Sequence, residues 1–246
     1  MRIDEVSEAL SQPSSADSDM RSTTNSVVEL TNVDLDSPDG TRLVTGLTFR
    51  IGANQHVFVH GPNGAGKTTL FRLMCGIVEP TAGHVATPPA SNCFYVPQRP
   101  YLIPGSIRDQ LLYPNTSTNA SVDEKATSHD DHILSVLKMV GLQRLAATPE
   151  DLSLQVPWEG LSAGEKQRVG IARLLIHQPE FAMLDECTNN LNEAFEAWVY
   201  EHCRKLGITL FTVSHRMKLR KHHVYELELH GDETFTFQRI EDADES

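Results

Sequence analysis

Gly61-Pro62-Asn63-Gly64-Ala65-Gly66-Lys67-Thr68 fits the pattern G-x-x-x-x-G-K-[ST], the spacing of a phosphate-binding loop. Each residue type has a physical reason to be there. Glycines let the backbone curl until successive N–H groups point inward at an anion. The lysine adds a point charge for the outer phosphates, and the threonine hydroxyl is a hard ligand suited to Mg²⁺. Gln55-His56-Val57-Phe58-Val59-His60 reads as a strand leading in. Thr69-Leu70-Phe71-Arg72-Leu73-Met74-Cys75 reads as a helix leading out, with its positive end at the loop. An ordinary glycine-rich turn would not require that strand and that helix.

Working outward, the 246 residues suffice for one sizeable core or two small ones. The formal net charge of −12 disfavours nucleic acid and anionic membrane surfaces as partners. It does not disfavour a nucleotide, because one such loop supplies its own local positive field. The cysteines, Cys75, Cys93, Cys187 and Cys203, form no C-x-x-C pair and suit reduced thiols. No apolar run is long enough to cross a bilayer.

Met1 to Ser26 is acidic, rich in serine and without hydrophobic period, and reads as disordered; it has neither a secretory nor a mitochondrial signature. Strand patterns follow at Val27–Val33 and Leu47–Ile51, on either side of the Ser37-Pro38-Asp39-Gly40 turn. Phe94-Tyr95-Val96 is a short strand ended by Pro97-Gln98, and Ser106 to Leu112 a short helix stopped before Pro114. Asn115 to Asp131 reads as a polar surface loop. His132 to Ala146 reads as a helix to about Met139, with a break at Gly141. A long helix opens at Leu161-Ser162-Ala163-Gly164-Glu165. Phe181-Ala182-Met183-Leu184 is apolar throughout, as a strand buried on both faces requires, and ends in Asp185-Glu186. Glu193 to Leu206 is helical up to Gly207. Ile208 to Val213 is another buried strand, ending in Ser214-His215. Val224–Leu229 and Thr234–Phe237 make a terminal hairpin, before an acidic tail at residues 241–246. His222 and His223 read as surface residues rather than a metal pair.

The phosphate loop, Gln98, Leu161-Ser162-Ala163-Gly164-Glu165, Asp185-Glu186 and His215 stand in an order that resembles the nucleotide-binding domain of ATP-binding-cassette (ABC) proteins. Finer similarity is to subfamily D, the peroxisomal half-transporters for fatty acids and fatty acyl-CoA. It rests on Phe94 to Tyr101, Gly105 to Gln110 with Tyr113-Pro114, Trp158 ahead of Leu161 to Arg168, Leu184 to Thr188, and Ser214-His215-Arg216. The resemblance implies an α/β P-loop ABC-type ATPase domain over residues 27–240. It would have a mixed central sheet, an antiparallel β subdomain and a helical subdomain at about 99–175.

The resemblance also implies roles. Gly61, Pro62, Asn63, Gly64, Ala65, Gly66, Lys67, Thr68 and Thr69 would wrap the triphosphate of ATP. Thr68, Gln98 and Asp185 would serve Mg²⁺. Glu186 would be the general base, with His215 and Gln98 reading the γ-phosphate. Ser162 and Gly164 would meet the ATP of a second ABC nucleotide-binding domain, identical or related, so that two domains sandwich two nucleotides. A transmembrane domain would come from another chain or be missing from this one. The site would lie on the cytosolic face of a membrane, the peroxisomal one in this subfamily.

Three residues depart from the family pattern. Ser37 precedes the turn where an adenine-stacking aromatic is usual, Ala163 replaces a glycine, and Asn192 replaces an aspartate. Two other readings stand open, the second of them on the evidence of these departures. One is a soluble, non-transport ABC ATPase, although tandem cassettes and coiled coils are lacking. The other is a regulatory module that binds ATP with little turnover.

Overall fold

The computed structural model describes residues 26–114, 125–156 and 158–241; the expectations for residues 1–25 and 242–246, and the surface-loop expectation over residues 115–124, lie outside them. The chain divides into two compact units. Val96–Gln178 and Cys187–Val199 form one; the described residues up to Tyr95, Pro179–Glu186 and those from Tyr200 onward form the other.

The second unit holds both sheets, apart from Val96 at the end of β5. Strands β1 (Val28–Asp36), β2 (Arg42–Ile51) and β4 (Ala82–Ala86) form an antiparallel sheet of order β2-β1-β4. Strands β3 (Val57–His60), β5 (Cys93–Val96), β6 (Phe181–Asp185), β7 (Thr209–Val213), β8 (Tyr225–Leu229) and β9 (Phe235–Arg239) form a sheet of order β5-β6-β7-β3-β8-β9. Its β6, β7, β3 and β8 are parallel neighbours, and β9 closes it as the antiparallel partner of β8. The sheet is therefore mixed, and a second, antiparallel sheet accompanies it.

Register sorts the side chains of β7, β3 and β8 onto two faces. Val57 and Val59, beside Phe211, Val213 and Leu227, join the core with Leu70 and Phe71 of helix α1 (Lys67–Met74). Phe58 lies beside Thr212 on one side and Glu226 on the other, all on the opposite face. Burying the first face drives the fold, at about 1.5–3 kcal/mol per large apolar side chain.

The first unit holds α2 (Ile107–Leu112), α3 (Lys125–Met139) and α4 (Ala163–His177). Helix α5 (Glu193–Lys205) runs from that unit into the other. Arg173 of α4 is only 5% exposed, and its guanidinium donates to the carbonyls of Gln110 and Tyr101. Burial lowers its pKa to about 10, still far above neutrality, so a charged donor ties α4 to the α2 segment.

Three expectations need correction. Lys125 to Asp131 belongs to α3 rather than to a loop. The polar first turns are held by Asp130, which takes a two-pronged bond from Arg108 at 3.1 and 2.6 Å. Strand β4 was not expected, because Ala82-Gly83-His84-Val85-Ala86 has no apolar alternation; backbone pairing with β1 makes it a strand. His223 is not a surface residue. It is buried, with Nδ1 at 2.8 Å from the Leu219 carbonyl and Nε2 at 2.9 Å from the Thr212 hydroxyl.

His56 is buried as well, its Nδ1 accepting from the Leu210 amide at 3.0 Å. Burial, with the positive charges of Arg204 and His222, lowers its pKa to about 4; burial, opposed in part by the bond to Leu219, lowers that of His223 to about 3. Both folded values lie below the unfolded one. Below pH ~6.5 the unfolded chain binds protons that the folded chain refuses, so stability is complete above that pH and falls as acid is added. Urea unfolding at pH 7 and pH 5 should show a loss of about 2 kcal/mol for each of the two histidines. The loss should be smaller in His223→Gln. An unchanged pH dependence in that variant would contradict the assignment.

Candidate active site

Helix α1 begins at Lys67, and its N-cap is Gly66, which has no side chain to occupy the amide end. Gly66 has φ of 99°, and an added Cβ would press on Leu43 and Leu35 at 3.2–3.4 Å. At Gly61 φ is 143°, and a Cβ would lie 2.1 Å from the Leu229 carbonyl oxygen. The loop thus needs glycine at both ends: once for backbone conformation over packed leucines, once for contact with β8.

The Lys67 ammonium is 8% exposed and donates to the carbonyls of Gly61 and Pro62, both at 2.8 Å. Burial lowers its pKa, and the carboxylates of Glu186 and Asp185 oppose that shift. The lysine therefore bridges the two ends of the loop and shares an electrostatic neighbourhood with both acids.

Asp185 ends β6, a strand with every residue buried, and is itself 8% exposed. Its Oδ2 accepts from the Thr68 hydroxyl at 3.0 Å and the Tyr95 hydroxyl at 2.8 Å. Burial and the negative charge of Asp185 push the Tyr95 phenol far above its ordinary value, so it stays a donor. A carboxylate and a threonine hydroxyl in hydrogen-bond contact make a hard oxygen set that fits Mg²⁺.

Glu186 follows with φ of 49°, a left-handed backbone that costs a non-glycine residue on the order of 1 kcal/mol. Its amide donates to the Val213 carbonyl at 3.0 Å. Its carboxylate lies 3.0 Å from His215 Nε2, with the histidine side chain 54% exposed and the glutamate 18%. The left-handed turn separates the neighbouring acids: Asp185 faces Thr68, and Glu186 faces His215. The exposed histidine opens this pair to a ligand.

The structure thus brings Lys67, Thr68, Asp185, Glu186 and His215 into one unit, while Gln98, Ser162 and Gly164 belong to the other. Within that other unit, Ser162 is the N-cap of α4 in a full capping box. The Glu165 amide donates to its hydroxyl at 3.3 Å; its own amide and hydroxyl donate to Glu165 at 2.9 and 2.8 Å. The Arg144 guanidinium beside Glu165 leads the causes that hold that carboxyl at about 2. An added Cβ at Gly164 would meet the Asn190 carbonyl at 3.1 Å. Buried Gln167 donates to the Gln98 carbonyl at 3.4 Å and accepts from the Asn190 amide at 2.9 Å.

Two of the departing residues have local work. Asn192 accepts from the Phe195 amide at 2.8 Å and so caps α5, and Ser37 closes its turn with Asp39 and Thr41. Sequence reasoning missed Tyr95 and Gln167. Tyr95 stood within a strand pattern and Gln167 within a helix pattern, and neither pattern signals where a polar tip points.

Residues 44–189 match the ABC transporter family. ATP-binding cassette sub-family D member 3 of Rattus norvegicus is 39% identical over 218 residues, covering 88% of this chain and 32% of that protein. The lysosomal cobalamin transporter ABCD4 of Homo sapiens is 34% identical over 218 residues, 86% of this chain and 36% of its own length. The chain thus spans about a third of these relatives. A solved bacterial Atm1-family ABC exporter with ATP bound superposes with a TM-score of 0.72 at 24% identity, covering 87% of this chain and 38% of that one, a likeness of fold. The match over residues 44–189, together with a phosphate loop whose lysine and threonine meet a strand-end acid pair, places this chain in the ABC transporter family.

Proposed function

We propose that this chain is the ATP-hydrolysing cassette of a subfamily D transporter. It would act at the cytosolic face of the peroxisomal membrane, and the cargo would be fatty acid or fatty acyl-CoA. The observation that carries the reading is the contact of Thr68 and Tyr95 with Asp185, next to a Glu186–His215 pair.

The loop from Gly61 to Thr69 wraps the triphosphate, and Lys67 exchanges its carbonyl partners for phosphate oxygens. Thr68 and Asp185 would hold Mg²⁺, which when bound would draw charge from the phosphate oxygens. Glu186 orients the attacking water and takes its proton. His215 donates toward the γ-phosphate and is held in place by Glu186. Ser162 and Gly164 meet the nucleotide of a second cassette, so ATP joins two cassettes and loss of the γ-phosphate releases them. A transmembrane partner, on another chain or on a longer form of this one, turns that cycle into transport. A binding module with little turnover is the second reading, favoured by Ala163 at the first position of α4.

A phosphate-release assay with Mg-ATP separates the two. Lys67→Ala should lose ATP binding. Glu186→Gln should keep binding, lose turnover by about 10²–10⁴-fold, and accumulate as a dimer in size-exclusion chromatography with Mg-ATP. Turnover at the parental rate in Glu186→Gln would remove Glu186 as the base. Tyr95→Phe should raise the Mg²⁺ concentration needed for half-maximal turnover about tenfold, the lower end of what one hydrogen bond to a charged group is worth; an unchanged Mg²⁺ requirement would limit Tyr95 to packing. For cargo, the cassette purified with its membrane partner should release phosphate faster with long-chain acyl-CoA. Stimulation by cobalamin instead would redirect the assignment.

A further inference from the structure

Behind the phosphate loop, on the sheet face away from α1, a nearly buried carboxylate gathers donors from three elements. Glu226 of β8 is 6% exposed. Its Oε1 lies 2.9 Å from His60 Nε2, and its Oε2 lies 3.0 Å from the Arg220 guanidinium and 3.2 Å from the Gln238 amide of β9. A carboxylate only accepts, so His60 Nε2 carries the hydrogen.

The addresses of these donors matter. His60 is the last residue of β3, directly before Gly61. Arg220 lies in the 3₁₀ helix Met217–His222, which starts directly after His215-Arg216. Glu226 therefore joins the root of the phosphate loop to the segment that carries His215. That segment has a second anchor one residue earlier, where His223 links the Leu219 carbonyl to the Thr212 hydroxyl of β7. The ring of His60 is also stacked on Phe58 at 5.5 Å between centroids, which limits its rotation. With His60 and the Leu219–Arg220 step both fixed, movement at one end of the network strains the bond at the other, because a buried carboxylate cannot lose a partner cheaply.

We propose that Glu226 is a positioning residue for ATP turnover: through His60 and Arg220 it sets His215 relative to the phosphate loop. The catalytic consequence rests on the ATPase reading above; the positional one does not. Two measurements keep them apart. Steady-state phosphate release in Glu226→Gln, and in Arg220→Met, should show kcat reduced about tenfold with KM for Mg-ATP within about twofold, the pattern of an interaction that matters in the transition state. The double variant should be no slower than the slower single one, since both break one network. Lys221→Ala, an exposed neighbour in the same 3₁₀ helix, should match the parent. The second measurement needs no turnover. In histidine side-chain NMR spectra, the His215 ring signal, identified by its loss in His215→Ala, should shift beyond its line width in Glu226→Gln and Arg220→Met, and not in Lys221→Ala. A His215 signal unmoved in both variants, or kcat at the parental level in a folded variant, would overturn the proposal. A parent without turnover would defeat the ATPase reading and leave the NMR result to decide the positional one. Should Glu226→Gln fail to fold, Arg220→Met carries both measurements.

Discussion

At Gly61 the chain leaves β3 and passes so close to the end of β8 that a Cβ would sit 2.1 Å from the Leu229 carbonyl oxygen. Much of the site follows from that contact. Only a residue without a side chain can leave β3 along this path. Lys67 then closes the curve from inside by donating to Gly61 and Pro62. Its charge is held at the mouth of the loop by short bonds rather than by a flexible stem. This arrangement reduces the entropy lost when a phosphate arrives, because the lysine rotamer is already restricted.

The same economy of position governs the acids. A strand buried on both faces is a rigid mount, and β6 delivers Asp185 from one. Two hydroxyl donors hold its Oδ2, so the carboxylate is oriented before any cation binds. The next residue must leave the strand, and the left-handed backbone of Glu186 does so within one step. Its amide still bonds to Val213, the residue just before Ser214-His215, so backbone and side chain of Glu186 both reach the β7 terminus. Strain of on the order of 1 kcal/mol at one residue is small against a core of fully buried Phe58, Phe71, Phe181 and Phe211.

What could be read in the sequence was whatever leaves a periodic or spaced trace. The glycines and lysine of the loop, the apolar runs of β6 and β7, and the helix opening near Ser162 all do so, and each falls in the expected element. Buried strands between helices and a closing hairpin were legible in the residues; that they share one mixed sheet followed from the family resemblance. Other features leave no such trace. β4 is a strand through its pairing with β1 rather than its own residues. Tyr95, Gln167, His223 and Glu226 are polar side chains inside elements, and their partners lie far away along the chain. For Glu226 the alternation of Tyr225-Glu226-Leu227-Glu228-Leu229 even suggests a solvated face, yet the 3₁₀ helix brings Arg220 onto it. Tertiary contact decides the environment of such residues, and a single sequence does not encode it locally.

The capping box at Ser162 shows how a reversible contact can be built. Both donors of Ser162, amide and hydroxyl, already serve the Glu165 carboxylate, itself compensated by Arg144. In the proposed role Ser162 turns toward the γ-phosphate of a second cassette. That step exchanges one anionic acceptor for another, and charge-assisted bonds of similar strength stand on both sides. The net free energy of the exchange is then small, although each bond alone is strong. What would tip the balance is the extra charge of the phosphate, since the α4 dipole favours the Glu165 carboxylate in its first turn as well. That contribution depends on the γ-phosphate being present. In that proposed role, a cassette pair held by such exchanged bonds would separate readily once that phosphate is gone, because the capping box stands ready to take its donors back.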